Sequence, residues 1–277
     1  MSKVLITGGA GFIGSNLIKY LLDTTSVNIV SFDRIKVNTK TSNARVNYVV
    51  GDLCSRDDIE NVFKTHGPFM TVYHLGAIMP DKSAPDSVLW KTNVFGTKIL
   101  ADIALAHGTH SFVFASSNVT YGIPSELPVT ETTPTNPIEI YGRSKVEAEK
   151  ILKTFVGKMN VKIFRCPVVT GIGRLGLQAI LFEFISEGKN VYVLGNGSNR
   201  YQFADVEDVC DALEKASHID GFDIYNIGSD EVLSLREIYQ RIIHHAHSKS
   251  RIISIPSGPA LFALAVLNKL KLSPLGV

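Results

Sequence analysis

The chain opens on an apolar run, Lys3–Thr7 (KVLIT), that passes directly into Gly8-Gly9-Ala10-Gly11-Phe12-Ile13-Gly14. No other feature narrows the possible folds so far. The run reads as a buried strand and Phe12–Leu22 as a helix, so the glycines fall on a strand-to-helix turn. Gly8, Gly11 and Gly14 are spaced G-x-x-G-x-x-G. Such a turn is tight, lets its backbone approach a pyrophosphate, and packs the helix on the strand with no side chain between. The helix N-terminus, with Phe12 and Ile13 in its first turn, offers N–H groups and partial positive charge to phosphates. The first gap is one residue longer than in the dinucleotide-binding spacing G-x-G-x-x-G. A plain strand-to-helix turn is the bland alternative.

Strands and helices alternate from there on. Asn28–Asp33 (NIVSFD) and Asn47–Asp52 (NYVVGD) read as strands that each end in an aspartate, Asp57–Thr65 as a helix, and Thr71–Ala77 (TVYHLGA) as a fourth strand. A long helix is expected over Asp86–His107, a strand over Ser111–Ser117, a helix over Tyr141–Val156 and a strand over Val161–Arg165. This alternation implies an α/β fold with a doubly wound parallel sheet covered on both faces. After about Thr170 the segments shorten. Helices are expected at Asp205–Ala216 and Ser234–His247, strands at Ile224–Ile227 and Arg251–Ile255, and a last amphipathic helix at Ala260–Leu270. The expected division is residues 1–170 as the sheet domain and 171–277 as a small lobe interleaved with it.

Composition excludes several classes. The 277 residues are 45% hydrophobic and 19% charged, as in a folded globular chain. Net charge is +2, from 28 basic and 26 acidic residues, with no dense Lys/Arg cluster, which argues against nucleic acid or a membrane surface as partner. The longest apolar run, Pro259–Leu267, falls short of the ~20 residues that span a bilayer. Met1-Ser2-Lys3 leads straight into the first strand, so no signal peptide is expected. Cys54, Cys166 and Cys210 have no metal-ligand spacing, so no metal is expected; they read as reduced thiols of a cytoplasmic protein.

Two constellations carry chemistry. Asp33 ends the second strand about 20 residues past the glycine turn, where a carboxylate accepts hydrogen bonds from an adenosine ribose and repels a 2′-phosphate. This favours NAD over NADP, although Arg34 beside it is a group that can serve a phosphate. Tyr141-Gly142-Arg143-Ser144-Lys145 sets a tyrosine and a lysine four apart at the start of a helix, on one face. A phenol near pKa 10 is a poor base at neutral pH, and a neighbouring ammonium favours its phenolate. That is the adjustment general acid–base work requires. Ser117 ends a strand 24 residues before Tyr141, at the carboxyl end where open parallel sheets bind ligands. A surface helix pair and a strand-capping serine are the bland alternatives.

Taken together, TGGAGFIG, the GDL of Gly51-Asp52-Leu53, HLGA at His74–Ala77, NVFGT at Asn93–Thr97, SSNVTYG at Ser116–Gly122 and YGRSK resemble the extended short-chain dehydrogenase/reductase family, in its branch of NAD-dependent epimerases and dehydratases acting on nucleotide sugars. The resemblance runs from Lys3 to about Ile255 and implies a Rossmann-type fold with a small C-terminal substrate lobe. It implies that Asp52 and Leu53 line an adenine site and that Leu75, Gly76 and Ala77 flank the pyrophosphate and ribose. Asn93 would be a structural or cofactor-side polar group, and Pro167 would lie beside the nicotinamide. Ser117, Tyr141 and Lys145 would be the catalytic trio, Lys145 also holding the nicotinamide ribose. Turn capping and strand-edge bonding are the alternatives for Asp52 and Asn93, and His74 reads as a core histidine. The family also implies a homodimer through the long helices.

The departures from the family pattern discriminate. Dehydratases of this branch carry an Asp-Glu pair just after the active hydroxyl residue, where this chain has Asn118 and Val119. That argues against loss of water. Val168 stands where the epimerases usually have an asparagine, and Arg200 is the candidate for their substrate-lobe arginine. Relatives continue beyond Ser273-Pro274-Leu275, so the chain reads as a short or a truncated member. The leading expectation is a UDP-sugar 4-epimerase working by transient oxidation at C4, with Met79, Ser117, Asn118 and Arg200 near the substrate. The alternatives are a dehydrogenase or reductase of a small alcohol or ketone, and a non-catalytic NAD-binding subunit.

Overall fold

The computed structural model describes residues 2–37, 43–80, 85–174, 178–256 and 258. The helix expected at Ala260–Leu270 lies outside these. In chain order the elements are β1 (Lys3–Thr7), α1 (Phe12–Thr24), β2 (Asn28–Asp33), β3 (Val46–Val50), α2 (Arg56–His66), β4 (Thr71–His74), α3 (Asp86–Trp90), a π-helical segment (Lys91–Gly96) and α4 (Thr97–Ala106). Then come β5 (Ser111–Ser117), a 3-10 turn (Asn118–Tyr121), α5 (Ile140–Lys153), β6 (Asn160–Cys166), β7 (Val168–Thr170), α6 (Gln178–Ser186), β8 (Val191–Leu194), β9 (Phe203–Asp205), α7 (Val206–Ala216), β10 (Phe222–Asn226), α8 (Leu235–His245) and β11 (Ile252–Ile255).

Seven strands form one sheet in the order β10-β6-β5-β4-β1-β2-β3, with every pair parallel. Parallel strands need crossovers, and helices supply them on both faces. One face is covered by α2, α4 and α5, whose Phe63, Leu100 and Leu152 meet Val30, Phe112 and Ile163 of the sheet. On the other, Leu17 and Leu21 of α1 and Val209 and Leu213 of α7 meet Ile6, Val113 and Phe164. The strand order reverses between β1 and β4, and the crevice outside the carboxyl ends there is where such sheets bind ligands.

The chain divides into two compact units, Met1–Gly173 with Ala204–Gly228, and Arg174–Phe203 with Ser229–Val277. The segment 204–228 therefore supplies α7 and edge strand β10 to the first unit, whereas the sequence reading assigned all of 171–277 to the lobe. The apolar stripe of α7 explains the return: Val206, Val209, Cys210, Leu213 and Ala216 are all buried. In the second unit, β8 and β11 pair in parallel, and α8 opens on a capping box between Ser234 and Glu237.

Several expected boundaries shift. The third and fourth strands end earlier than read, at Val50 and His74, so that Asp52 and Leu75–Ala77 lie in loops. The expected helix over Asp86–His107 is interrupted by the π-helical stretch, which contains Asn93. Asp205 and Ser234, read as helical, are instead the N-caps of α7 and α8. No helix among the described residues is long and apolar enough to cross a membrane.

Candidate active site

The carboxyl edge of the sheet gathers most of the residues singled out above. Gly8 follows β1, Asp33 ends β2, Leu75 follows β4, Ser117 ends β5 and Pro167 follows β6. The glycine turn is built by backbone contacts. Gly8 has φ of +72°, and a Cβ there would lie 2.6 Å from the Gly76 nitrogen; a Cβ on Gly14 would lie 2.2 Å from the Gly8 oxygen. Both positions therefore require glycine. Gly8 N–H donates to the Phe32 carbonyl at 2.9 Å. Gly11 is the N-cap of α1 and brings no side chain to cap the first turn, which begins with Phe12 and Ile13.

Asp33 is tied to this turn. Its Oδ2 accepts from Ala10 N–H and its Oδ1 from Ile35 N–H, each at 3.0 Å. A carboxylate has about four acceptor positions, so capacity for a ribose remains. Arg34 is exposed beside it. A backbone-walled cradle, a helix end without a side-chain cap and a carboxylate joined to both fit the pyrophosphate and ribose of NAD. Asp52 behaves as a turn former: its Oδ1 accepts from Cys54 N–H and its own N–H donates to Asp58 Oδ2, both at 2.8 Å. Leu53 is buried, with Cδ1 2.8 Å from where a Gly76 Cβ would stand. Leu75 N–H donates to the Thr7 carbonyl at 3.2 Å, and Ala77 beyond it is half-buried.

Asn93 joins two parts of the site. Its amide exchanges hydrogen bonds with the Ile78 backbone at 2.8 and 3.0 Å, and its Nδ2 donates to Ser144 Oγ at 3.1 Å. Ser144 Oγ donates in turn to the Tyr141 carbonyl at 2.7 Å. His74 is buried behind this link, between Thr7 Oγ1 at 2.7 Å and Thr97 Oγ1 at 2.8 Å. Thr97 gives its hydroxyl hydrogen to the Asn93 carbonyl at 2.7 Å, so His74 Nε2 donates to Thr97 and Nδ1 accepts from Thr7. Burial, aided by the charge of Lys145, lowers the pKa of His74 to about 3, so the ring is neutral.

Tyr141 and Lys145 sit at the start of α5, with Lys145 Nζ 5.7 Å from the centre of the Tyr141 ring. Lys145 is buried, lies 4.6 Å over the Phe114 ring and donates to the Ala115 carbonyl at 2.7 Å. Burial lowers its pKa to about 8, while the groups of Cys166 and Glu149 act in the opposite direction. Ser117 lies two residues beyond Ala115, half-buried, and its Oγ accepts from Val119 N–H at 3.4 Å. A Cβ on Gly142 would lie 3.0 Å from the Val119 oxygen, so the Tyr141 end of α5 packs closely on the turn that follows Ser117. Asn118 begins that turn and is exposed.

Pro167 is buried between β6 and β7, and Met79 is 51% exposed in the loop after β4. Arg200 belongs to the second unit, where it bridges to Ser234 and its Nη1 donates to the Val232 carbonyl at 2.7 Å. Reading the sequence missed Ser144, Thr7 and Thr97, whose hydroxyls look ordinary in a string of residues. It also missed the buried ion pair of Glu149 and Arg165, joined at 2.7 Å. A charge inside the apolar run of β6 was the available signal.

The model of the NAD dependent epimerase/dehydratase family matches residues 4–228. The chain is 37% identical over 279 residues to the uncharacterized protein y4nG of Sinorhizobium fredii, an alignment covering 100% of this chain and 68% of that one. It is 28% identical over 253 residues to a putative UDP-glucose 4-epimerase of Methanocaldococcus jannaschii, covering 87% of this chain and 81% of the relative. The solved UDP-glucose 4-epimerase of Thermus thermophilus in complex with NAD superposes with a TM-score of 0.75 at 26% identity, covering 93% of this chain and 87% of that one.

Proposed function

The chain belongs to the NAD dependent epimerase/dehydratase family, an enzyme with NAD as its cofactor, and on that premise we propose that it is a nucleotide-sugar epimerase, acting as a 4-epimerase of a UDP-sugar. The observation that carries this reading is the buried Lys145 between the Tyr141 ring and the Phe114 ring, bonded to the Ala115 carbonyl beside Ser117. An ammonium held there by the backbone favours the Tyr141 phenolate. The phenolate oxygen removes the proton from the sugar 4-hydroxyl, which the Ser117 hydroxyl holds in place. NAD, held by the Gly8–Gly14 turn and Asp33 with Pro167 beside its nicotinamide, would supply the reversible oxidation at C4 that lets the configuration there invert. Tyr141 then gives the proton back, and no net oxidation results.

Asn118 and Val119 support epimerisation over dehydration, because neither side chain can serve as the acid or base that eliminating water requires. The M. jannaschii and T. thermophilus proteins point to a UDP-sugar. Of the other residues, we assign Asp33 to the adenosine ribose, the Gly8–Gly14 turn to the pyrophosphate, Leu53 to the adenine side and Pro167 to the nicotinamide.

The test is incubation of the pure chain with NAD and a panel of UDP-, GDP-, dTDP- and CDP-sugars, following the anomeric protons by NMR and NADH absorbance in the same tube. A new epimer without net NADH, from a UDP-sugar, is the expected result. Stoichiometric NADH points instead to a dehydrogenase, and loss of water to a dehydratase; either overturns the reading.

A further inference from the structure

Beneath the Tyr141–Lys145 face lies a charged cluster that the reaction as derived does not use. Arg165, on β6, faces Glu149 on α5 with one guanidinium edge engaging both carboxylate oxygens: Nη2 donates to Oε2 at 2.7 Å and Nε to Oε1 at 3.2 Å. Ser116 Oγ closes the set on Oε1. Arg165 Nη1 also donates to the Tyr121 hydroxyl at 2.9 Å, and that hydroxyl donates to Asn226 Oδ1 at 2.7 Å. Ser116, Glu149 and Arg165 are 5%, 6% and 5% exposed, so the pair is removed from water. Buried ion pairs often add little stability over an apolar replacement, so stability alone is a weak account of this one.

Its placement supplies a better account. Glu149 lies one turn along α5 from Lys145, Ser116 immediately precedes Ser117, and Arg165 is two residues before Pro167. We propose that Glu149 and Arg165 are a positioning pair, clamping α5 to the carboxyl ends of β5 and β6 and setting the field at Lys145 Nζ so that it stays an ammonium during turnover. The inference rests on Lys145 acting as proposed above. The titratable groups facing Lys145 are Tyr141 and Glu149 from α5, Cys166 from β6 and His74 from β4. Burial holds His74 neutral and raises the pKa of the Cys166 thiol to about 12, so at neutral pH neither carries charge. Glu149 is then the anion that opposes the burial of the Lys145 ammonium.

The experiment reads Lys145 directly, without a sugar. The full chain with NAD is labelled with 13Cε-lysine, and the Lys145 resonance is assigned by its loss in Lys145→Met. Its pH titration is compared in wild type, Glu149→Gln and the double variant Glu149→Gln/Arg165→Met, which leaves no unpaired buried charge. The expected result is a midpoint lower by about one pH unit in Glu149→Gln, a smaller fall in the double variant, and the alkaline limb of any turnover moving with it. A midpoint unchanged in the folded double variant overturns the pair's role, whatever the activity. If the midpoint falls while wild type converts no nucleotide sugar, the epimerase reading fails and the pair stands.

Discussion

At the scale of single residues, the proposed epimerase mechanism depends on two protons. Tyr141 carries the one that moves, so Tyr141→Phe removes the base and leaves the NAD cradle intact. Turnover should fall by about 10²–10⁴-fold, the usual range for a positioned acid–base group. NAD affinity, measured by calorimetry, should change little; a Tyr141→Phe chain that keeps its full rate would remove the tyrosine from the mechanism. Lys145 carries the proton that must stay. Burial sets its pKa at about 8, so it is an ammonium below that pH and loses its charge as pH rises through it. Activity should therefore hold between pH 6.5 and 7.5 and decline above about 8, following one deprotonation. A rate that keeps climbing to pH 10 would show that the charged lysine is not needed. The placement of Tyr141 and Lys145 on one face at the start of a helix, and of Ser117 at the end of a strand, was legible in the sequence because spacing and strand patterning set it. Ser144 was not, because its role depends on a hydrogen bond to Asn93, 51 residues away.

At the scale of elements, the β1–turn–α1 unit was the most readable part of the chain. Its pattern is local: an apolar strand, glycines that only a close backbone approach explains, and a helix that buries Leu17, Ile18 and Leu21. Gly14→Ala tests that reasoning. The added methyl would meet the Gly8 oxygen at 2.2 Å, and both atoms belong to tightly held backbone. The chain should lose about 1–3 kcal/mol of stability, typical of overpacking, and NAD affinity should fall with it, because the turn must open to admit the methyl. Unchanged thermal unfolding and NAD binding in Gly14→Ala would mean that the turn is looser than its geometry shows. Elements defined by distant partners were harder to read. The short strands β7, β8 and β9 and helix α6 carry no long periodic signal. Strand β10 was found, but its place beside β6 in the main sheet follows from pairing across the chain, which no local pattern contains.

At the scale of the whole molecule, the buried polar residues connect parts of the first unit that apolar packing alone would leave independent. Thr7 on β1, His74 on β4 and Thr97 on α4 form one chain of hydrogen bonds, and Asn93 extends it to α5 through Ser144. This chain requires a neutral imidazole, since a proton on Nδ1 would leave Thr7 with no acceptor for its hydroxyl hydrogen there. The consequence for stability follows from linkage. In the unfolded chain a histidine binds a proton near pH 6.5, whereas in the folded chain His74 resists it down to about pH 3. The neutral ring therefore contributes stability that is fully present above pH 6.5 and is lost as pH falls toward 3. Each pH unit inside that window is worth about 1.4 kcal/mol, so urea unfolding should show wild type losing about 2 kcal/mol between pH 6.5 and 5 from this residue. His74→Gln starts less stable at neutral pH but lacks that proton. Its stability should decline more gently over the same interval, and the two curves should converge as pH falls. Parallel curves for wild type and variant would mean that the acid sensitivity of the fold originates elsewhere.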